Sequence, residues 1–194
     1  MLSCGVFIDF KKAFDTIDHC ILLQKLYHYG IRGIINARFH SYLTDRVQPT
    51  QIGSEVSTKL PTACGVPQGS VLGTLLFLLY VNDLCSSSDK LSFYLFADDT
   101  NLLYADREIN SLERVVNAEL SKVQEWLVAN RLTLNAKKSN FVIFHPYQKK
   151  LDRDVILKIF DIETNDFVLL DQKIYLKYLG SLIQILHGST MFPT

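Results

Sequence analysis

Across residues 108–129, Ile109, Leu112, Val116, Leu120, Val123 and Leu127 recur at steps of three or four. Only a helix of 3.6 residues per turn brings such a series to one face, so the spacing predicts a long amphipathic helix that Asn130 ends. A helix with one apolar stripe must bury it against another layer, and its neighbours in the chain have strand character. Before it, apolar runs at 91–96 and 101–104 flank Asp98-Asp99 and read as a hairpin of two buried strands with carboxylates at the tip. After it come a short strand near 132–134, a strand at 141–144 and short apolar runs as far as Ile185.

Upstream, residues 2–10 read as a short buried strand, and Ile21, Leu22, Leu26 and Tyr29 have helical spacing closed by Gly30. A second helix is expected over 31–43, then a hairpin of 47–52 with 56–60 around Gly53-Ser54, then a glycine-rich loop at 65–69. Residues 70–84 are almost wholly apolar, which predicts a helix packed on several sides with Ser70 as its cap.

Composition bounds what such a chain can do. Its 194 residues, 48% hydrophobic, suffice for one domain with a real core. Lys+Arg and Asp+Glu balance at 20 each, so charge alone does not announce a nucleic-acid partner. Cys4, Cys20, Cys64 and Cys85 lack paired metal-ligand spacing and read as reduced thiols of an intracellular protein, nuclear or cytoplasmic. No secretion signal is visible at the start. The most apolar segment, 71–81, is about half of the ~20 residues a transmembrane helix needs, so no membrane partner is expected.

Asp9 ends one apolar strand and Asp98-Asp99 sit between two more. Each alone is commonplace, since aspartates cap turns and strand ends. Together, at the edge of a strongly apolar sheet, they would carry costly charge unless something neutralised it. Carboxylates on rigid backbone are what two divalent cations ~3.5–4 Å apart require for phosphoryl transfer.

Four segments in order, FIDFKKAFDTIDH, GVPQGSVLGTLLFLLYVNDL, FADDT and LTLNAKKS, resemble successive motifs of reverse transcriptases, above all those of non-LTR retrotransposons of the jockey-like kind. The resemblance runs from about Gly5 to Ser181. It implies an α+β fold: a polymerase palm, an antiparallel sheet backed by helices in the βαββαβ manner, over 1–183, with part of the fingers at about 19–63 and an unstructured tail at 184–194. It implies an enzyme, an RNA-directed DNA polymerase that extends a primer 3′-hydroxyl with deoxynucleoside triphosphates on an RNA template with a DNA primer.

The same resemblance assigns residues. Asp9, Asp98 and Asp99 would bind two Mg2+ ions, or Mn2+ in their place, with the Phe10 carbonyl near the second metal. Phe14 resembles the bulky residue that excludes a ribose 2′-hydroxyl, and Gln68 and Gly69 would meet the incoming nucleotide. Lys138 matches a lysine that protonates the pyrophosphate leaving group, with Lys137 as its rival. Tyr178, Leu179 and Gly180 resemble the primer-grip turn. Asp15 and Asp18 read instead as helix-start charges, and the five histidines as structural or surface residues. Thr74 stands where the family usually has proline.

Segments of fingers and thumb that the family places on either side are expected to be missing here. That leaves a second reading, a truncated, non-catalytic remnant that at most binds nucleic acid or a protein partner. A metal-dependent nuclease or phosphatase on the same carboxylates is a third, which leaves the GVPQGS loop unexplained.

Overall fold

The computed structural model describes residues 1–44, 47–48, 51–56, 60–61, 64–67, 69–146, 151, 153–162, 164–178 and 181–184. In chain order its elements are β1 (Leu2–Ile8), α1 (His19–His28), α2 (Gly33–Leu43), β2 (Val47–Gln48), β3 (Gln51–Ile52), β4 (Glu55–Val56) and β5 (Leu60–Pro61). Then follow α3 (Val71–Val81), a 3-10 helix (Asn82–Ser87), β6 (Ser92–Phe96), β7 (Asp99–Asp106), α4 (Ile109–Ala129) and β8 (Asn140–Phe144). The last are β9 (Lys158–Asp161), β10 (Asp166–Leu169), β11 (Asp171–Gln172), β12 (Tyr175–Tyr178) and β13 (Ser181–Gln184). The chain divides into two compact units: Met1–Lys11 with Cys85–Leu127 and Thr133–Thr194, and Lys12–Leu84 with Val128–Leu132.

The first unit is built on a sheet of order β11-β8-β1-β7-β6. β8, β1, β7 and β6 are antiparallel neighbours and β11 runs parallel to β8. Without β11 this is the spatial order of a βαββαβ fold, as expected. β1 is central because it pairs with β7 along one edge and β8 along the other, and its Leu2, Cys4, Val6 and Ile8 are at most 3% exposed. Val6 lies opposite Leu102 on one side and Phe141 on the other, so one face of the sheet is continuous core. The helix period that opened the sequence becomes α4, whose Leu112, Val116, Leu120, Val123 and Leu127 are buried. Each such side chain contributes roughly 1.5–3 kcal/mol when taken out of water. None of the four cysteines forms a disulfide, and burial pushes the Cys4 thiol up to about 12, which keeps it inert.

Two expectations for this unit are corrected. β6 is not buried: as the edge strand it turns Tyr94 and Phe96 outward, 56% and 59% exposed, so apolar content alone misread it. The strand expected near 132–134 is a single bridge, Leu134 to Phe10, because Phe10 leaves the ladder after β1 has ended at Ile8.

In the second unit α1 packs against α2 and α3. Asp18 caps α1, accepting from the Ile21 N–H at 3.0 Å, and pairs with Arg131. That is the helix-start role read for it from the sequence. Tyr80 is wholly buried and its hydroxyl donates to the Asn130 carbonyl at 2.7 Å; burial pushes its pKa up to about 12. The expected hairpin about Gly53-Ser54 is present as two short ladders, β3 with β4 and β2 with β5. α3 was expected to pack on several sides. Instead Val71, Leu75 and Leu78 form an exposed stripe while Leu76, Phe77 and Tyr80 are buried. Where every position is apolar, periodicity cannot say which face turns inward.

Ser70 caps α3 by accepting from the Gly73 N–H at 2.9 Å and donating to the Pro67 carbonyl at 3.0 Å. A Cβ at Gly73 would stand 2.2 Å from that same Pro67 oxygen. The loop therefore lies directly on the first turn of the helix.

Candidate active site

Asp9 is the residue after β1, whose last pair is Ile8 with Thr100. The register thus carries Asp9 to the end of the sheet where β7 begins with Asp99. Both backbone groups of Asp9 are taken: its N–H donates to Ser139 Oγ at 3.1 Å and its carbonyl accepts from the Asn135 N–H at 2.8 Å. Lys11 N–H donates to the Thr133 carbonyl at 2.8 Å, and Phe10, 6% exposed, bridges Leu134 between them. The segment around Asp9 is laced to 133–139 although more than a hundred residues separate them.

Asp98 and Asp99 come from the β6–β7 turn. Phe96 pairs with Asp99, leaving Ala97-Asp98 as a two-residue connection. Ala97 has φ 52°, the left-handed conformation that such tight hairpins demand. Both aspartates are exposed. The Asp99 carboxyl is nonetheless raised above the ordinary aspartate value, first by desolvation at the sheet end and then by the charges of Asp98 and Asp9.

Lys138 Nζ lies 4.0 Å from Asp9 Oδ2, with the lysine side chain 71% exposed. Such a pair contributes little to stability, on the order of 0–1 kcal/mol, but it places a cation beside the Asp9 carboxylate. The Lys138 N–H donates to the Asn135 carbonyl at 3.1 Å.

The three carboxylates suit a hard divalent cation: they are oxygen donors at one sheet end, where desolvation and then the charges of Asp98 and Asp9 raise Asp99. The backbone brings them to one end of the sheet, but among the described residues no group of three His, Cys, Asp or Glu side chains already converges as a metal cage.

Phe14 and Gly69 belong to the other unit. Phe14 is half-buried, its ring 4.7 Å from that of Phe77 and tilted 31°. Gly69 is exposed with φ 77°, while Gln68 lies outside the described residues. Gly65 is at φ 88°, and a Cβ there would meet the Asp15 carbonyl at 2.8 Å. His19 Nε2 stands 2.7 Å from the Gly65 carbonyl and holds this loop to the start of α1. Tyr178 ends β12 opposite Ser181; Leu179, Gly180 and residues 185–194 lie outside the described residues. Ser139, Asn135 and His19 were not singled out as site residues from the sequence. Ser139 lies within the LTLNAKKS motif, but only its distant partner gives it a role.

A sheet whose β8, β1, β7 and β6 run antiparallel in this order, backed by helices and carrying carboxylates at the end of its central strand and the adjacent hairpin turn, is a polymerase palm. Solved structures agree on the fold. Apo telomerase from Candida tropicalis superposes with a TM-score of 0.58 at 12% identity, covering 96% of this chain and 32% of that one. Telomerase from Candida albicans in complex with a TWJ fragment of telomeric RNA gives 0.53 at 15% identity, covering 87% and 31%. The chain belongs to the reverse transcriptase (RNA-dependent DNA polymerase) family, which it matches over residues 2–183. It is 33% identical over 144 residues to the probable RNA-directed DNA polymerase from transposon X-element of Drosophila melanogaster, covering 72% of this chain and 16% of that protein. It is 30% identical over 186 residues to that of transposon BS from the same organism, covering 91% and 19%. The RNA-directed DNA polymerase from mobile element jockey is 28% identical over 152 residues, covering 73% and 16%. The chain spans under a fifth of each of these three relatives. No described helix is long and apolar enough to cross a membrane.

Proposed function

We propose that the chain carries the nucleotidyl-transfer centre of an RNA-directed DNA polymerase of non-LTR retrotransposon type. The observation that carries this reading is the register that sets Asp9 beside the Asp98-Asp99 turn, with the Asp99 carboxyl raised by desolvation and then by the charges of the other two. Asp9, Asp98 and Asp99 would hold two divalent cations, Mg2+ or Mn2+, which supply an activated primer 3′-hydroxyl and charge neutralisation at the triphosphate. Lys138, 4.0 Å from Asp9, is the group that delivers a proton to the departing pyrophosphate. Phe14 selects against a ribose 2′-hydroxyl, Gln68 and Gly69 contact the incoming nucleotide, Phe10 presents its carbonyl to the metal, and Tyr178 to Gly180 grip the primer. Residues of about 19–63 contribute part of the fingers.

The test is incorporation of deoxynucleotides on a primed RNA template with Mg2+, with Asp98→Asn as control. Equal signals from the two chains would overturn the reading. The formal net charge of +0 favours a second one, in which the fold binds nucleic acid or a protein partner without extending a primer. Salt-dependent RNA binding with no incorporation would select it.

A further inference from the structure

Ser139 is 1% exposed and sits beside Lys138 in the turn that follows Asn135. Its hydroxyl accepts from the Asp9 N–H at 3.1 Å and donates to the Asn135 carbonyl at 2.9 Å. That carbonyl also receives the Lys138 N–H at 3.1 Å and the Ser139 N–H at 2.9 Å, while the Asn135 N–H donates to the Asp9 carbonyl at 2.8 Å. One turn therefore grips Asp9 by both backbone groups and carries the Lys138 ammonium to within 4.0 Å of its carboxylate. Removing the hydroxyl would leave the Asp9 N–H without this partner and take one of three donors from the oxygen that shapes the turn.

We propose that Ser139 is a positioning residue that clasps Asp9 and the Lys138 turn into one rigid piece, so that carboxylate and ammonium keep a set spacing. This rests on the reading of Asp9 as a metal-binding carboxylate. Outer partners that orient metal ligands typically cost 10–100-fold in metal affinity when lost, and a hydroxyl acting through the ligand's own backbone belongs among them.

The test is Mn2+ binding to the chain, followed by electron paramagnetic resonance, together with hydrogen exchange of the Asp9 amide. Ser139→Ala is expected to bind Mn2+ about tenfold more weakly and to exchange the Asp9 amide faster. Ser139→Thr, which keeps the hydroxyl, is expected to bind like the parent chain. Ser88→Ala serves as the comparison, because it removes another buried hydroxyl, one donating to Glu119 at 2.7 Å, and is expected to lower stability without changing Mn2+ affinity. Should alanine cost the fold, Ser139→Cys, close in size but a poor acceptor, takes the same reading. Unchanged affinity in Ser139→Ala, equal loss in Ser88→Ala, or a threonine variant as impaired as alanine would each overturn the proposal. If the parent chain binds no Mn2+, or Asp9→Asn binds as well as the parent, the metal reading of Asp9 falls first. Affinity lost in Asp9→Asn but kept in Ser139→Ala removes Ser139 alone.

Discussion

Asp9 and Asp98 stand at the same end of one sheet but are held in opposite ways. Asp9 follows a strand paired on both sides, and its backbone is bonded to a turn from a distant part of the chain. Asp98 sits in a two-residue connection beside an edge strand, presented by the hairpin that carries it. The difference teaches that one sheet end can hold carboxylates by two sorts of support: Asp9 is anchored by long-range pairing, and Asp98 is presented by local turn geometry.

The largest contrast should appear in stability. Phe141 is 1% exposed on β8 and pairs with Val6 of the central strand, so Phe141→Ala is expected to cost about 3–5 kcal/mol in urea unfolding. Phe96, 59% exposed beside the turn, should lose less than about 1 kcal/mol when truncated in the same assay. Equal losses would break the distinction between anchored and presented ends. In primer extension, Asp9→Asn and Asp98→Asn are each expected to lower the rate on the order of a hundredfold to a thousandfold, since the proposed reaction would draw on both ends whatever holds them.

A smaller effect is expected at the turn itself. Ala97→Gly relieves the positive φ and should raise stability by about 0.5–1 kcal/mol in thermal unfolding. The smallest concerns pH. Asp99 is raised in the fold, so the native state holds its proton more tightly than the unfolded chain. That contribution is fully present below the ordinary aspartate value and is lost as pH rises through the raised one. Asp99→Asn should therefore melt higher than the parent at neutral pH, with the gap closing as pH falls toward the ordinary aspartate range. Added Mg2+ should narrow the gap by stabilising the parent alone.

Local periodicity carried most of the elements. The three- and four-residue steps of Leu112 to Leu127 specify α4 without help from the rest of the chain, and Ser70 and Asp18 both cap helices as their chemistry suggests. What periodicity could not carry was side. SFYLF has the composition of a buried strand, yet β6 ends the sheet, and only the pairing of β7 with β1 makes it an edge. The same holds for α3, where an unbroken apolar run hides the outward stripe of Val71, Leu75 and Leu78. At the candidate site the aspartates and Lys138 were visible through ordered motifs, whereas the Ser139 hydroxyl was not. Its partner lies 130 residues away, and nothing in the short span around it marks a serine as a clasp.

Gly73 has a consequence for how this protein tolerates change. A methyl group there would overlap the Pro67 carbonyl oxygen, 2.2 Å from where its carbon would stand. The placement of Pro67 is thus limited from outside the loop, at the third residue of the helix that follows. A mutational scan confined to the loop would pass over this position. Even alanine, the mildest helical replacement elsewhere, would have to lift the loop from the helix before it could be accommodated.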